Sequence, residues 1–383
     1  KGIAGRWGYH LEVHEVTTKD GYLLDLFRIP RGRNESIHEE RCRRPVILFN
    51  HGLTAGGAEW VLNLPDQSAA FVFADAGFDV YLVNHRGTTY ARKHTKLKPN
   101  ENAFWQFSLD EMTNFDMPAT IDKVLQLSGN EHIYYIGHSH GALIGLTTLA
   151  DNAKYNKKIK KMFLLGPVGA IQHEKLAARA LFWVFKMLRP ITNLYTSVLG
   201  AHEIGFNSRL IARIGTKMCT TFPIYYICKD LIGLSAGPIG LHLNMTRIPV
   251  YLSHSLGSTS SWTYLHYTQI QQAKRVVHFD YGNQLKNFEK SENMLSQAAP
   301  HPYNYSQIRA DTYLFWSRND WITTPAEIEK TLIPSLPKGV IKGSYEIPEY
   351  NHIDFGIATT AKHRCYEPII EIIFKDDPMS ECM

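Results

Sequence analysis

The stretch that decides the fold is Ile133-Tyr134-Tyr135-Ile136-Gly137-His138-Ser139-His140-Gly141-Ala142-Leu143-Ile144, which contains the pentapeptide G-x-S-x-G. An apolar, strand-like run precedes the pentapeptide, and a helix-like run follows it. A strand, a tight turn and a helix in this order are typical of a nucleophile elbow, which holds a serine on a strained turn. Gly137 and Gly141 lack side chains, so that strand and helix can approach each other. The pattern therefore predicts that Ser139 is a nucleophile.

A serine nucleophile needs a base, and the base needs an acid that orients it. After a nucleophile elbow these partners follow in the chain order serine, acid, histidine. The run 312–316 reads as a strand, and Asp320 follows it in a loop. His352 lies 32 residues further on (352 − 320), past a second short strand. We therefore predict Asp320 as the acid and His352 as the base.

Other interpretations of these residues stay open on the sequence alone. Asp311 is a second carboxylate, but it begins its strand instead of ending it. Asp354 is a third carboxylate, but it lies too close to His352 along the chain to reach that histidine from an independent loop. Asp320 also suits the N-cap of a helix, and His352 also suits a histidine at the surface.

An oxyanion hole requires two backbone N–H donors, and one is expected from the residue after the nucleophile, His140. The second usually comes from a loop after an early central strand. The run 46–50 reads as such a strand, and His51-Gly52-Leu53 follows it. We therefore predict that the backbone N–H groups of Leu53 and His140 form the hole.

Beyond the pentapeptide, ordered motifs resemble the acid lipase family, whose members include gastric and lysosomal acid lipases. The resemblance covers nearly the whole chain and is carried by residues 16–22, 51–53, 71–79, 84–92, 116–122, 137–141, 244–254, 319–320 and 350–355. It implies an α/β-hydrolase fold, in which a mostly parallel sheet is flanked by helices and carries a largely helical cap insertion. It also implies the triad Ser139, Asp320 and His352, and an oxyanion hole at Leu53 and His140. The family commonly has Gln in place of His140; because the hole uses the backbone, we expect the exchange to be tolerated.

The length of the chain predicts one core with a large insertion. The chain has 383 residues with 44% hydrophobic content, and Ser139 and Asp320 are 181 residues apart (320 − 139). A plain sheet needs fewer residues between them, so we predict core segments at 1–167 and 307–383 and a cap at 168–306. Its first part, 173–189, reads as an apolar helix. That helix is either part of the cap over the site or an ordinary buried helix.

The five cysteines are an odd number. The spacing of Cys219 and Cys228 suits a small loop closed by a disulfide, and the resemblance implies a bridge there, worth roughly 2–3 kcal/mol. The following segment 229–243 mixes apolar residues with glycines, which suits either a mobile lid or a buried irregular loop. Cys42, Cys365 and Cys382 have no assigned pairing, which leaves open a free thiol or an intermolecular bridge.

Three glycosylation sequons, at Asn34, Asn244 and Asn304, favour the secretory route. The chain begins at Lys1 without an apolar leader, so we interpret it as a mature chain after removal of a signal peptide. No apolar run reaches the length of a membrane span. The expected location is therefore secreted or lysosomal.

The net charge is +5, and 18 histidines add positive charge as the pH falls through about 6.5. Such a surface attracts anionic lipid and favours contact with a lipid–water interface, a membrane or a lipid droplet. Basic residues are spread out, which argues against nucleic-acid binding. A zinc site of His51, His138 and His140 is conceivable, but the sequence lacks the histidine spacing of the metalloprotease motifs, which argues against it. We expect neither metal nor cofactor.

The hypothesis is hydrolysis of fatty-acyl esters, either triacylglycerols or steryl esters, through an acyl-enzyme on Ser139. Two alternatives are a catalytically silent lipid carrier, and an esterase or acyltransferase that acts on soluble esters.

Overall fold

The computed structural model describes residues 2–35, 44–175, 179, 201–205, 217–219, 221, 228, 233, 236–238, 242–254, 257–282, 287 and 300–377. Within them, nine strands form one sheet in the order β1-β2-β4-β3-β6-β7-β10-β11, with β5 paired to β2. The strands are β1 (Glu12–Thr17), β2 (Tyr22–Ile29), β3 (Val46–Asn50), β4 (Asp79–Leu82), β5 (Lys93–His94), β6 (Ile133–His138), β7 (Ile159–Leu165), β10 (Asp311–Trp316) and β11 (Ile341–Glu346). A separate antiparallel pair consists of β8 (Glu203–Gly205) and β9 (Ser258–Ser260).

The sheet is parallel from β4 to β11 and antiparallel where β1, β2 and β4 pair. Every residue of β3 and β6 is buried. Parallel strands that are covered on both faces read as continuous apolar runs, which is why the sequence signal for these two strands is strong.

Helices cover both faces of the sheet. They are α1 (Gly2–Arg6), α2 (Ala69–Asp75), α3 (Leu109–Glu111), α4 (Met117–Ser128), α5 (His140–Asp151), α6 (Ile248–His254), α7 (Ser261–Ala273), α8 (Pro325–Glu327), α9 (Ile333–Ser335), α10 (Asp354–Ile357) and α11 (Glu367–Asp376). Helices α4 and α5 share one hydrophobic core with Leu48 and Tyr135, and α2 and α11 share a second core with Phe49 and Tyr134. Alternate residues of one strand thus point to opposite cores.

The predicted fold class, a mostly parallel sheet flanked by helices, is confirmed. Between β7 and β10 the described residues form α6, α7 and the β8–β9 pair. Most of the predicted helix 173–189 and of the lid segment 229–243 lies outside the described residues, so the boundaries of the cap stay a prediction.

Candidate active site

Ser139 lies on the turn between β6 and α5, in a backbone conformation that side chains rarely adopt. Its φ is 53° and its ψ is −112°, a strained combination that costs about 1–3 kcal/mol. A Cβ atom on Gly141 would lie 2.4 Å from the carbonyl oxygen of Asn50, and one on Gly137 would lie 2.7 Å from the backbone nitrogen of Ala142. Glycine is therefore required at both positions that flank the turn at Ser139.

The structure brings together the three residues predicted for the triad. Nε2 of His352 lies 2.7 Å from Oγ of Ser139, and Nδ1 lies 2.7 Å from Oδ2 of Asp320. The carboxylate accepts only, so Nδ1 carries the proton and Nε2 accepts from the serine hydroxyl. Asp320 follows β10 and His352 follows β11, which places both at the carboxyl edge of the sheet beside the elbow.

Asp320 also binds its own loop. Its Oδ1 accepts the backbone N–H groups of Ile322, at 2.8 Å, and Thr323, at 2.7 Å. Burial would raise the pKa of Asp320, but attraction to His352 and hydrogen bonds from His352 and Thr323 hold that pKa below its ordinary value. The carboxylate is therefore charged, and one oxygen orients its loop while the other faces the histidine.

The alternative acids lie elsewhere. Asp311, at the start of β10, lies 3.6 Å from the ammonium groups of Lys161 and Lys342. Oδ2 of Asp354 accepts the backbone N–H of Asn351 at 2.9 Å. Neither carboxylate contacts His352 within the described residues, whereas Asp320 does.

The two N–H groups predicted for the oxyanion hole belong to segments that meet at the elbow. Strand β3 pairs with β6, Asn50 opposite Gly137, and Leu53 follows three residues after the end of β3. The N–H of His140 points out of the first turn of α5, where no intrahelical acceptor exists. Among the described residues neither N–H has an acceptor. Two free donors and the positive end of a helix suit an anion beside Ser139.

The side chain of His140 is held away from solvent. Its Nδ1 lies 2.5 Å from the hydroxyl of Tyr267 on α7, and its Nε2 lies 3.3 Å from Sδ of Met112. Burial, together with His85 and His51 nearby, lowers the pKa of His140 well below its ordinary value. The ring is therefore neutral, and the tyrosine hydroxyl donates to Nδ1.

On the other side of Ser139, His138 contacts a residue that sequence reasoning missed. Its Nδ1 lies 2.5 Å from Oε1 of Glu59, and its Nε2 lies 2.9 Å from the carbonyl oxygen of His352. Oε2 of Glu59 accepts the backbone N–H of Gly52 at 2.8 Å. The only signal in the sequence was an acid between apolar neighbours, Ala58 and Trp60.

The three histidines considered for zinc each have other partners. Nδ1 of His51 lies 2.8 Å from the carbonyl oxygen of Gly52, and its Nε2 accepts the N–H of His85. The side chains of His138 and His140 are engaged as described above. In the part of the chain that the structure describes, no three histidine, cysteine or acidic side chains form a metal-binding group.

The structure describes the predicted disulfide and the three asparagines of the sequons. Cys219 and Cys228 form a disulfide with 5.6 Å between their Cα atoms, and Cys365 is a buried free thiol. Cys42 and Cys382 lie outside the described residues. Asn34 and Asn304 are exposed, and Asn244 is partly exposed. None of the helices in the described ranges is both long and apolar enough to cross a membrane.

Comparison with known proteins places this geometry in context. A family model described as the alpha/beta hydrolase fold matches residues 45–193, and one described as a partial alpha/beta-hydrolase lipase region matches residues 1–64. Lipase lipl-1 of Caenorhabditis elegans is 36% identical over 98% of this chain and 91% of its own length. Human lysosomal acid lipase/cholesteryl ester hydrolase is 35% identical over 97% and 90%, and rat gastric triacylglycerol lipase is 33% identical over 97% and 90%.

Among solved structures, a candidate lipase from Sulfolobus solfataricus superposes with a TM-score of 0.59 at 14% identity, over 96% of this chain and 99% of that chain. At that identity the likeness concerns the fold alone.

Proposed function

Because the chain belongs to the acid lipase family of α/β hydrolases and is a lipase that hydrolyses ester substrates, we propose that it cleaves long-chain fatty-acyl esters with Ser139 as nucleophile. His352 is the general base, and Asp320 orients it. The observation that carries this proposal is the unbroken chain of hydrogen bonds from Ser139 through His352 to Asp320, with 2.7 Å at each step.

The reaction proceeds in two halves. Oγ of Ser139 attacks the ester carbonyl while Nε2 of His352 takes the hydroxyl proton. The N–H groups of Leu53 and His140 stabilise the oxyanion, a contribution that typically reaches about 3–4 kcal/mol for a single donor.

When the tetrahedral intermediate collapses, the bond to the alcohol breaks and the alcohol leaves with the proton from His352. Water then gives a proton to His352 and attacks the acyl-serine, and the second collapse frees the fatty acid and restores the serine. The ionised Asp320 stabilises the imidazolium of both halves without itself taking the proton.

The substrate class is proposed from the relatives and from the organisation of the chain. Two relatives are named for triacylglycerol and cholesteryl ester hydrolysis, and we propose the same two ester classes here. The cap proposed for residues 168–306 would cover the acyl chain. Action at a lipid–water interface and passage through the secretory route, to the outside or to lysosomes, are part of the proposal. The disulfide and the exposed asparagines of the sequons support that route.

The test is the replacement of the nucleophile. S139A is expected to abolish release of fatty acid from emulsified triolein and cholesteryl oleate. The matched control S253A changes an exposed serine on α6 and is expected to keep full activity. Turnover by folded S139A would overturn the proposal.

Two further measurements separate the alternatives. A serine-directed phosphonate is expected to label the wild-type chain at one site per molecule and to leave S139A unlabelled; a silent lipid carrier would not be labelled. The rate is expected to rise when a short-chain ester passes its solubility limit. A flat rate there would favour an esterase for soluble substrates.

A further inference from the structure

The buried pair Glu59 and His138 lies beside the proposed triad and has no role in the steps above. Both side chains are less than a tenth exposed. Both ring nitrogens of His138 face acceptors: Oε1 of Glu59 at 2.5 Å and the carbonyl oxygen of His352 at 2.9 Å. A neutral imidazole has only one N–H group. Both contacts are hydrogen bonds only if Nε2 carries one proton and a second proton lies between Nδ1 and the carboxylate of Glu59.

The pair also connects two segments that are distant in sequence. Through Oε2, Glu59 holds the N–H of Gly52, one residue before the proposed oxyanion donor Leu53. Through Nε2, His138 holds the backbone carbonyl of His352, the proposed base. The ring of His138 packs against the ring of His352 with 5.3 Å between centroids. Displacement of the pair would therefore move the loop of Leu53 and the loop of His352 relative to each other.

We propose that Glu59 and His138 are positioning residues that tie the loop of Leu53 to the loop of His352, and that they do so only while they share their proton. The inference rests on the proposed function, because it assigns a task within that same site. Neither residue contacts the reacting atoms, so the expected effect is on kcat more than on KM.

The charged groups around the pair support its ionic form. Burial would lower the pKa of His138, but attraction to Glu59, its hydrogen bond, the carbonyl of His352 and the charge of Asp320 raise it above its ordinary value. Burial would raise the pKa of Glu59, but His138, the N–H of Gly52 and His51 lower it. His51, another titratable neighbour, has a pKa lowered to about 4 by burial and by His85, so it stays neutral near neutral pH.

The sign of the pH effect follows. A base whose pKa is raised in the folded state keeps its proton from low pH up to and past its ordinary value. The hydrogen bonds that link the two loops are therefore intact at acid and neutral pH, and they are lost as the pH rises through the pKa of His138. A lipase with this pair would lose activity on the alkaline side for a reason unrelated to Ser139.

The conservative variant E59Q reverses this dependence. Its amide oxygen can accept from Gly52, and its NH2 can donate to Nδ1 of a neutral His138, whose Nε2–H still donates to His352. All hydrogen bonds are then satisfied when His138 is neutral. Protonation of Nδ1 would place two donors, Nδ1–H and the amide NH2, face to face and break this hydrogen bond. The variant is therefore expected to lose activity at acid pH.

The experiment compares the pH profiles of kcat for wild type and E59Q from about pH 4.5 to 9, on a soluble short-chain ester. Phosphonate labelling counts the active sites, and circular dichroism at each pH confines the comparison to folded protein. The ratio of kcat, E59Q over wild type, is expected to rise at least about tenfold across this range, the effect of about one hydrogen bond, with KM changed little. E59A lacks both contacts and is expected to be slow at every pH. A pH-independent ratio would overturn the proposal.

A second measurement does not depend on a variant that keeps its activity. Nitrogen-15 NMR of histidine side chains in the wild type, with the H138Q spectrum for assignment, is expected to show both nitrogens of His138 protonated at pH 7.5. A neutral ring there would overturn the inference. Loss of turnover in S139A together with a flat ratio would reject only this inference; turnover in S139A would reject the proposed function.

Discussion

The strongest demand that the structure makes on the proposed triad concerns the tautomer of His352, and D320N tests it. The asparagine oxygen can replace Oδ1 of Asp320 and keep the N–H groups of Ile322 and Thr323, which lie at 2.8 and 2.7 Å. The loop should therefore stay folded. The NH2 group then takes the place of Oδ2, 2.7 Å from Nδ1 of His352, and two donors face each other.

The histidine relieves this conflict by moving its proton to Nε2, where it faces the hydroxyl of Ser139 and is unable to act as base. A wrong tautomer in a serine triad costs about 10⁴ in kcat. Four factors of ten at about 1.36 kcal/mol each correspond to about 5.4 kcal/mol of transition-state stabilisation. KM is expected to change little, because Asp320 is fully buried behind the base and does not reach the substrate.

The assay is steady-state hydrolysis of a soluble p-nitrophenyl ester, with kcat and KM determined separately and urea unfolding measured in parallel. D311N is the matched control, because Asp311 lies at the other end of β10 and its side chain is 39% exposed; it should retain kcat. A loss below tenfold in stable D320N, or an equal loss in D311N, would refute the assignment of the acid.

Three further changes test the surroundings of the site. G141A places a methyl group 2.4 Å from the carbonyl oxygen of Asn50, and urea unfolding should show a loss of about 1–3 kcal/mol. H140Q keeps an acceptor for the hydroxyl of Tyr267, so kcat should stay within about threefold of wild type at every pH; a shifted pH profile would contradict a neutral His140. Burial would lower the pKa of His278, but two adjacent carboxylates raise it to about 10. Protonated His278 therefore stabilises the folded state fully below about pH 6.5, and this contribution falls by up to about 1.4 kcal/mol per pH unit towards pH 10. Urea unfolding of H278Q should lack this pH-dependent contribution.

The elements that could be predicted from the sequence are those whose signal is local. The run 133–136 is buried on both faces and reads as a strand, but β6 continues to His138 because His138 pairs opposite Leu165 on β7. Chain order and strand context predicted Asp320 and His352 at the carboxyl edge of the sheet, where the structure has them. The sequence left Asp320 as either the N-cap of a helix or the acid of a triad, and one of its oxygens accepts backbone N–H groups while the other faces His352.

The residues that sequence reasoning missed depend on contacts between distant segments. Glu59 reaches His138 across 79 positions of the chain, and Tyr267 reaches His140 across 127. No period or motif encodes such pairs, since each side chain alone fits an ordinary buried or surface position. The same kind of contact limits how many of the 18 histidines add charge near pH 6.5, because burial lowers the pKa of His51, His140 and His266.

The two histidines that flank Ser139 show how partners decide the response of the site to pH. His138 faces a carboxylate and a carbonyl, both acceptors, so its contacts are complete only with a proton on each nitrogen. His140 faces the hydroxyl of Tyr267, which can donate to Nδ1, and burial together with nearby histidines lowers its pKa, so it stays without the second proton. The pKa of the histidine one position before Ser139 is thus raised, and the pKa of the histidine one position after it is lowered. If the charge of His138 were uncompensated, it would oppose the imidazolium that forms on His352; the carboxylate of Glu59 removes that penalty, and the carbonyl bond then holds the base in place.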